Sequence, residues 1–128
     1  MKGYTLITVS DAPDVLGDYP GEMRFLKDAL GTEQVAVTYR RIPAKTGSKG
    51  SYGHRHKNQE EIVFIIKGTI QGKFDNEIEE LGPGAAIRIA PKTVRGFWNE
   101  GPEDVELLII SNRIAKDDWE KVEDFWPE

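Results

Sequence analysis

The residues best suited to do chemistry are two histidines and a nearby glutamate in the segment GHRHKNQEEIVFIIKG, residues 53–68. His54 and His56 are the only histidines in the chain. On a β-strand, residues two positions apart project to the same side, so both imidazoles would enter one cavity. A tight loop over KNQE would return the carboxylate of Glu61 to the same cavity. Two neutral nitrogens and one anionic oxygen suit zinc, iron(II), manganese or nickel.

The histidine pair also has a simpler explanation, in which two hydrogen-bonded imidazoles line the mouth of a barrel and hold no metal. Other chemistry finds little support in the sequence. The chain contains no cysteine, which excludes disulfides, thiolate ligands and a cysteine nucleophile. It offers no Ser, His, Asp triad and no phosphate-binding glycine loop, and the adjacent Glu60 and Glu61 would alternate to opposite faces of a strand. A metal is therefore the one evident source of chemistry.

The elements that position these residues are short strands. Runs rich in Val, Ile, Thr and aromatic residues alternate with turn-forming segments such as AKTGSKG, FDNE, LGPG and NEGPED, which is typical of an all-β domain. The predicted strands comprise residues 4–9, 23–27, 34–42, 52–57, 62–68, 69–75, 77–81, 85–90, 95–99 and 105–111. In the middle of the chain they follow one another too closely for crossover helices, which favours an antiparallel barrel or sandwich.

The end of the chain, KDDWEKVEDFWPE, has a different pattern. Apolar residues recur at helical spacing from Trp119 to Trp126, and Asp117 with Glu120 resembles a capping box. The pattern predicts a short helix over about 117–125. This helix would cap one end of the barrel, or alternatively form a lid over a pocket or a dimer contact.

Length and charge narrow the classes of partner. The chain has 128 residues, which fits a single domain over 1–128. With 17 basic against 22 acidic residues the net charge is −5, so nucleic acid and anionic membranes, which need a basic surface, are not expected partners. No signal peptide or membrane span is evident, and we expect a cytoplasmic protein.

The segment that contains the histidines resembles the first motif of the cupin family. That motif reads His, any residue, His, three or four residues, Glu, six residues, Gly, and it is matched by His54, His56, Glu61 and Gly68. The glycine expected six positions before the first histidine falls at Ser48. The opening of the motif is therefore approximate.

A second stretch resembles the second cupin motif, which reads Gly, five residues, Pro, any residue, Gly, two residues, His, three residues, Asn. Aligned at Gly84, the spacing to Asn99 is kept. However, Ala90 replaces the proline, Lys92 the second glycine and Arg95 the histidine. The resemblance implies an antiparallel cupin barrel, also called a double-stranded β-helix or jelly roll, with its core at about 34–111. It also implies a homodimer, in which the predicted strand 4–9 could pair across the interface.

In cupins the metal would be held by the residues that match His54, His56, Glu61 and position 95. Arginine offers no lone pair and repels a divalent ion. At about 6 Å and an effective dielectric of about 20, this repulsion is on the order of 5 kcal/mol, against roughly 10 to 16 kcal/mol for binding of a structural zinc ion. We therefore expect a weak metal site or none. Arg95 could swing aside and leave open coordination positions, pair with Glu61 in place of the metal, or turn to solvent.

Alternation along the strands predicts further residues that line the cavity. Phe97 and Asn99 share a face with Arg95 and are candidate ligand contacts, Phe97 as an apolar wall and Asn99 either as a contact or as a turn-stabilising residue. One of the consecutive Arg40 and Arg41 should face inward, but the pattern does not decide which.

The cupin barrel carries many unrelated activities, so the resemblance leaves three functions open. The first is a small-molecule-binding protein that holds a divalent metal, a small anionic ligand, or both, with Arg95 as the anion contact. The second is a metal-dependent enzyme of the oxygenase or isomerase type that uses His54, His56 and Glu61. The third is a non-catalytic regulatory or interaction module.

Overall fold

The computed structural model describes residues 2–113 and 118–128 and consists mainly of antiparallel strands. The strands are β1 Glu22–Phe25, β2 Val35–Ile42, β3 Thr46–Gly47, β4 Ser51–His56, β5 Glu61–Lys67, β6 Ile70–Phe74, β7 Glu77–Leu81, β8 Ala86–Ile89, β9 Arg95–Asn99, β10 Val105–Asn112 and β11 Trp119–Trp126. The helical segments are a 3₁₀ helix at Val9–Asp11 and one α-helix, α1, at Leu26–Leu30. None of the helices in these residues is long and apolar enough to cross a membrane.

The strands form two sheets that are linked by connections running from one to the other. The first sheet has the order β1-β2-β10-β5-β8, and the second has the order β11-β4-β9-β6-β7, with β3 paired to β9. Consecutive strands such as β4 and β5 lie in different sheets. The histidines on β4 and Glu61 on β5 therefore approach one another from opposite sheets.

The hydrophobic core lies between the two sheets. Alternate residues of β5 and β10 point inward and are almost fully buried. The buried cluster consists of Ile42, Val63, Ile65, Ile70, Leu81, Ile89, Val105 and Leu107. Burial of each such side chain contributes roughly 1.5 to 3 kcal/mol. Because Glu61 is the inward residue next before Val63 on β5, the core ends where the polar site begins.

The predicted strands from residue 34 to 111 are confirmed to within one residue at each end. The predicted strand at 4–9 is wrong for this chain, because residues 4–8 pair with no other described segment and a 3₁₀ helix begins at Val9. The side chains of Tyr4 and Leu6 are 69% and 87% exposed. Alternating apolar residues indicate a strand only where a neighbouring strand is available to pair with them.

The predicted C-terminal helix is also wrong, because the chain forms strand β11 at Trp119–Trp126. This strand pairs with β4, and Trp119 lies opposite His56 while Glu120 lies opposite Arg55. A register shift before Trp126 breaks the two-residue alternation of side chains along β11. This bulge changes the spacing of the apolar residues, so that their pattern in the sequence resembles that of a helix. Asp117, the predicted helix cap, falls outside the described residues.

The glycine that precedes the histidines is needed for the close approach of β11. A Cβ at Gly53 would lie 2.4 Å from the ring of Phe125 and 2.8 Å from the carbonyl oxygen of Arg95. Phe125 is held there by Lys73, whose ammonium lies 4.1 Å from the ring centre and donates a 2.6 Å hydrogen bond to the Phe125 carbonyl. The end of the chain thus packs over the outer face of the strand that carries the histidines.

Candidate metal centre

The structure brings together the three residues that the sequence predicted as ligands. One nitrogen of His54, one nitrogen of His56 and one carboxylate oxygen of Glu61 lie within 4.8 Å of one another. The histidines project to the same side of β4, and Glu61 begins β5 directly after the turn at residues 57–60. This set could hold a divalent metal ion with three protein ligands.

A residue that sequence reasoning missed, Asp118, fixes this turn. Its buried carboxylate accepts hydrogen bonds from the backbone N–H of Asn58 at 2.9 Å and of Gln59 at 3.1 Å, and another from the Asn58 side chain at 3.2 Å. Asp118 was hidden from sequence reasoning because the surrounding segment reads as a helix that begins at Asp117. The turn that carries Glu61 into the site is therefore tied to the last strand of the chain.

Asp118 also orients His56. Its Oδ2 lies 3.4 Å from Nδ1 of His56, while Nε2 of the same ring lies 3.7 Å from Oε2 of Glu61. Nδ1 is buried without a well-formed hydrogen bond among the described residues. A carboxylate behind one ring nitrogen favours the tautomer that carries its proton there and leaves the other nitrogen free as a ligand. His56 thus has the surroundings typical of a metal-binding histidine.

Both imidazoles are neutral at neutral pH. Burial, together with the charges of Arg95, His56 and Arg40, lowers the pKa of His54 to about 3. Burial also lowers the pKa of His56, with Arg95 acting in the same direction and the carboxylates of Glu61 and Asp118 acting against it. A neutral imidazole keeps the lone pair that a metal ion requires.

Arg95 faces the interior and pairs with Glu61. It is fully buried, its Nη2 donates a 2.6 Å hydrogen bond to Glu61 Oε1, and its Nη1 donates a 2.8 Å bond to the carbonyl of Thr93. Its Nε is buried and has no partner among the described residues. Of the three arrangements expected from the sequence, the structure contains the ion pair with Glu61, and the expectation that Arg95 turns to solvent is wrong.

The ion pair leaves part of the candidate site available. Glu61 uses Oε1 for Arg95, and its second oxygen, Oε2, faces His56. The carboxylate of Glu61 is paired with Arg95, and that of Asp118 lies 3.4 Å from Nδ1 of His56. They would offset part of the repulsion between this guanidinium and a divalent ion.

Aromatic residues form the outer wall of the site. The Trp119 ring stacks on His54 with centres 5.7 Å apart and an angle of 21° between the planes. Lys121, the residue opposite His54 on β11, places its ammonium 4.3 Å from the ring centre of Tyr52. Trp119 and Tyr52 remain 47% and 43% exposed. This wall separates the buried histidines from solvent.

The structure decides which of the two consecutive arginines on β2 points inward. Arg40 lies opposite the core residue Leu107, on the interior face. Arg41 points to the outer face, where it pairs with Glu22 and Asp104 at 3.1 Å each. Arg40 therefore lies on the same side of its sheet as the candidate site.

The other two predicted ligand contacts have different surroundings. Asn99 is fully buried, its amide donates to the carbonyls of Ile42 and Glu103, and its oxygen accepts from Gly101 N–H. These hydrogen bonds agree with the turn-stabilising alternative, and a ligand contact by Asn99 stays a prediction. Phe97 packs edge-to-face on Phe74 with ring centres 5.9 Å apart. Its part in ligand binding stays a prediction.

Comparison with known proteins agrees with this architecture. The family model of the cupin domain matches residues 41–111, more than half of the chain. The chain belongs to the cupin family. It is also similar to the uncharacterised protein MJ1618 of Methanocaldococcus jannaschii, with 36% identity over 58 residues, which cover 45% of this chain and 46% of that relative. The matched part thus spans less than half of that relative's length.

Solved structures confirm the cupin fold over almost the whole chain. A cupin protein of Bacteroides fragilis is 28% identical, with a TM-score of 0.71, covering 91% of this chain and 89% of that chain. The polyketide cyclase RemF of Streptomyces resistomycificus is 18% identical, with a TM-score of 0.75, covering 97% and 87%. A cupin-superfamily sugar phosphate isomerase of Silicibacter pomeroyi is 17% identical, with a TM-score of 0.72, covering 97% and 96%. At these last two identities the similarity shows the fold alone.

Proposed function

We propose that this cupin binds a divalent metal ion weakly through His54, His56 and Glu61 and presents it to a small-molecule ligand. The observation that supports the proposal is the convergence of two neutral imidazoles and one carboxylate oxygen within 4.8 Å. When bound, the ion would polarise an oxygen of the ligand or lower the pKa of a coordinated water. Zinc, iron, manganese and nickel all suit this set of donors.

The affinity should be lower than in a site with four ligands. Arg95 contributes no donor atom, its charge opposes the ion, and it holds one of the two Glu61 oxygens at 2.6 Å. Because Arg95 is fully buried and already paired with Glu61, it is poorly placed to bind a soluble anion. This weakens the idea that Arg95 itself is the anion contact.

A metal-dependent enzyme of the oxygenase or isomerase type is the alternative, and it would use the same three residues. One observation favours it: three protein ligands leave coordination positions open for a substrate. A regulatory or interaction module without a metal is the third alternative. The proposal also includes a homodimer, whose test is given at the end of the Discussion.

The metal site can be tested with a matched pair of variants. Glu61 faces the histidines, whereas the adjacent Glu60 is exposed and pairs with Arg88 on the outer face. Zinc and nickel would be titrated calorimetrically into metal-free wild type, Glu61→Gln and Glu60→Gln, and bound metal would be counted by elemental analysis. We expect one ion per chain in the wild type and Glu60→Gln, and at least 10-fold weaker binding in Glu61→Gln, about 1.4 kcal/mol.

The double variant His54→Gln, His56→Gln provides the second arm of this test. It should lose metal binding while the metal-free protein keeps its stability within roughly 1 kcal/mol, as expected away from packed apolar sites. Failure of the wild type to bind either metal would contradict the proposal. If the wild type binds no metal and the double variant unfolds, the simpler explanation that the imidazoles are structural would be supported.

A further inference from the structure

Arg40 is a charged residue in the interior for which the proposed metal site has no use. It projects from β2 two residues before the core residue Ile42, opposite Leu107 of β10. Its Nε is buried and has no hydrogen-bond partner, and none of the described residues forms a hydrogen bond or an ion pair with its terminal nitrogens. Unlike Nε, the terminal nitrogens of Arg40 are not fully buried, so a small molecule can reach them.

Among the described residues, Arg40 differs in this respect from Arg95, the other inward-facing arginine of the site. The guanidinium of Arg95 is paired with Glu61. Burial lowers the pKa of Arg40, and the phenols of Tyr19 and Tyr52 act in the opposite direction. Taking a charge out of water without a partner costs free energy, so an anion that enters the cavity would remove this cost.

The surroundings of Arg40 indicate what kind of anion would fit. Arg40 projects from β2 on the interior face of its sheet, opposite the core residue Leu107, and its charge helps to lower the pKa of His54. Trp119, stacked on His54, is a half-exposed aromatic residue in the outer wall of the candidate site. A guanidinium fork matches the planar geometry of a carboxylate, and an aromatic face accepts a flat organic group.

We propose that Arg40 binds the carboxylate of a small, flat organic acid, whose other end lies against Trp119 and reaches the centre formed by His54, His56 and Glu61. The part of this proposal that concerns the metal-facing end rests on the proposed function. The ion pair between Arg40 and the carboxylate does not depend on the proposed function, because it can be measured in the metal-free protein.

The chain offers a matched control for this test. Arg40→Gln removes the interior guanidinium, whereas Arg41→Gln removes the same charge one residue later, from the outer face of the same strand. Benzoate would be titrated into metal-free and zinc-loaded protein by calorimetry and ligand-observed NMR. Benzamide serves as the neutral analogue of the same shape, and inorganic phosphate as the non-planar anion.

We expect benzoate to bind the wild type and Arg41→Gln equally, and to bind Arg40→Gln at least 10-fold more weakly. Benzamide should bind more weakly than benzoate to the wild type and with the same affinity to Arg40→Gln. Absence of benzoate binding in the wild type, or equal affinity in Arg40→Gln, would overturn the proposal. Loss of phosphate binding in Arg40→Gln without any effect on benzoate would overturn the choice of a carboxylate.

Two further measurements separate this proposal from a structural role and from the metal proposal. Because none of the residues at 2–113 and 118–128 is paired with the Arg40 guanidinium, Arg40→Gln should melt at the wild-type temperature or above it, while a structural arginine would give a lower melting temperature. Arg40→Lys keeps the charge without the fork, so it should retain part of the benzoate affinity, and it replaces Arg40→Gln if that variant fails to fold. Zinc content should be unchanged in both variants. A wild type that binds no zinc but shows Arg40-dependent benzoate binding would reject the metal site alone.

Discussion

At the scale of single residues, Arg95 has the greatest influence on the site. It occupies the position at which the cupin motif carries a histidine, and it neutralises Glu61 through a 2.6 Å ion pair. A permanent charge thus stands where a neutral donor would complete a metal site. The amount of metal bound therefore depends on how strongly Glu61 remains attached to Arg95.

Replacement of Arg95 by histidine should strengthen metal binding. Arg95→His removes a fixed positive charge, releases Glu61 Oε1 and adds a neutral nitrogen, and all three changes favour a divalent ion. The affinity for zinc or nickel should rise by at least 10-fold, about 1.4 kcal/mol, in titration calorimetry. Arg95→Gln, which removes the charge without adding an imidazole, should give a smaller gain. An unchanged affinity in both variants would mean that Arg95 does not oppose the ion.

The buried histidines should make the metal-free protein sensitive to acid. The pKa of His54 is about 3 in the folded protein against 6.5 for the free side chain, so between these values the unfolded chain binds a proton that the folded protein does not. Stability is therefore unaffected above pH 6.5 and falls as the pH decreases towards 3, by up to about 1.4 kcal/mol per pH unit.

The variant His54→Gln isolates this contribution. Its free energy of unfolding in urea, measured with a chelator at pH 7.0, 5.5 and 4.5, should fall less steeply than that of the wild type. Carboxylates and His56 titrate in both proteins, so only the difference between the two curves reports His54. Parallel curves would show that His54 is protonated in the folded protein within this pH range.

At the scale of elements, the strands could be predicted where composition and pairing agree, as for β4, β5 and β9, whose ends matched the predicted ones to within a residue. The shared direction of His54 and His56 followed from alternation, and the return of Glu61 to the same site was expected from the tight loop that precedes it. The segment at Trp119–Trp126 failed because local spacing cannot reveal that the edge of β4 lies open to it. Asp118 could not be found from sequence, since its contacts with Asn58 and Gln59 span about sixty residues.

Asp118, the residue directly before β11, should support the metal site. Asp118→Asn would weaken the hydrogen bonds to the turn at residues 57–60 and remove the charge that faces His56 Nδ1 at 3.4 Å. Loss of such a supporting carboxylate typically lowers metal affinity by about 10- to 100-fold. The control is Glu120→Gln on β11, two residues later, where the carboxylate faces outward to Arg55 at 3.4 Å. Equal zinc affinity in the two variants would contradict a role for Asp118 in the site.

At the scale of the whole molecule, the barrel and its polar end could be predicted because two motifs fixed the order and spacing of the strands. The structure of the amino-terminal segment could not be predicted in this way. Residues 4–8 find no partner strand among the described residues, and Leu6 is exposed. A sequence pattern reports what a segment could pair with, and it does not report whether the partner belongs to the same chain.

The outer face of the first sheet leads to the prediction of a dimer. Ile62, Phe64 and Ile66 alternate with buried residues on β5 and remain 43%, 38% and 45% exposed. Leu108 and Ile110 of the neighbouring strand lie opposite Phe64 and Ile62 and extend the same apolar face. An apolar face of this kind on a folded protein favours association with another surface, and the homodimer implied by the cupin resemblance would cover it with a second copy.

Size-exclusion chromatography with light scattering at micromolar concentration should therefore give the mass of a dimer. Phe64→Glu places a charge in the middle of the apolar face and should produce a monomer that remains folded, because the side chain points away from the core. The control is Ile78→Glu on β7, which adds the same charge at a residue that is 54% exposed on the other sheet, and it should leave the dimer intact. A monomeric wild type would contradict the dimer. A dimer that survives Phe64→Glu would place the interface on another surface, and the exposed segment at residues 4–8 would then be the next to test by truncation.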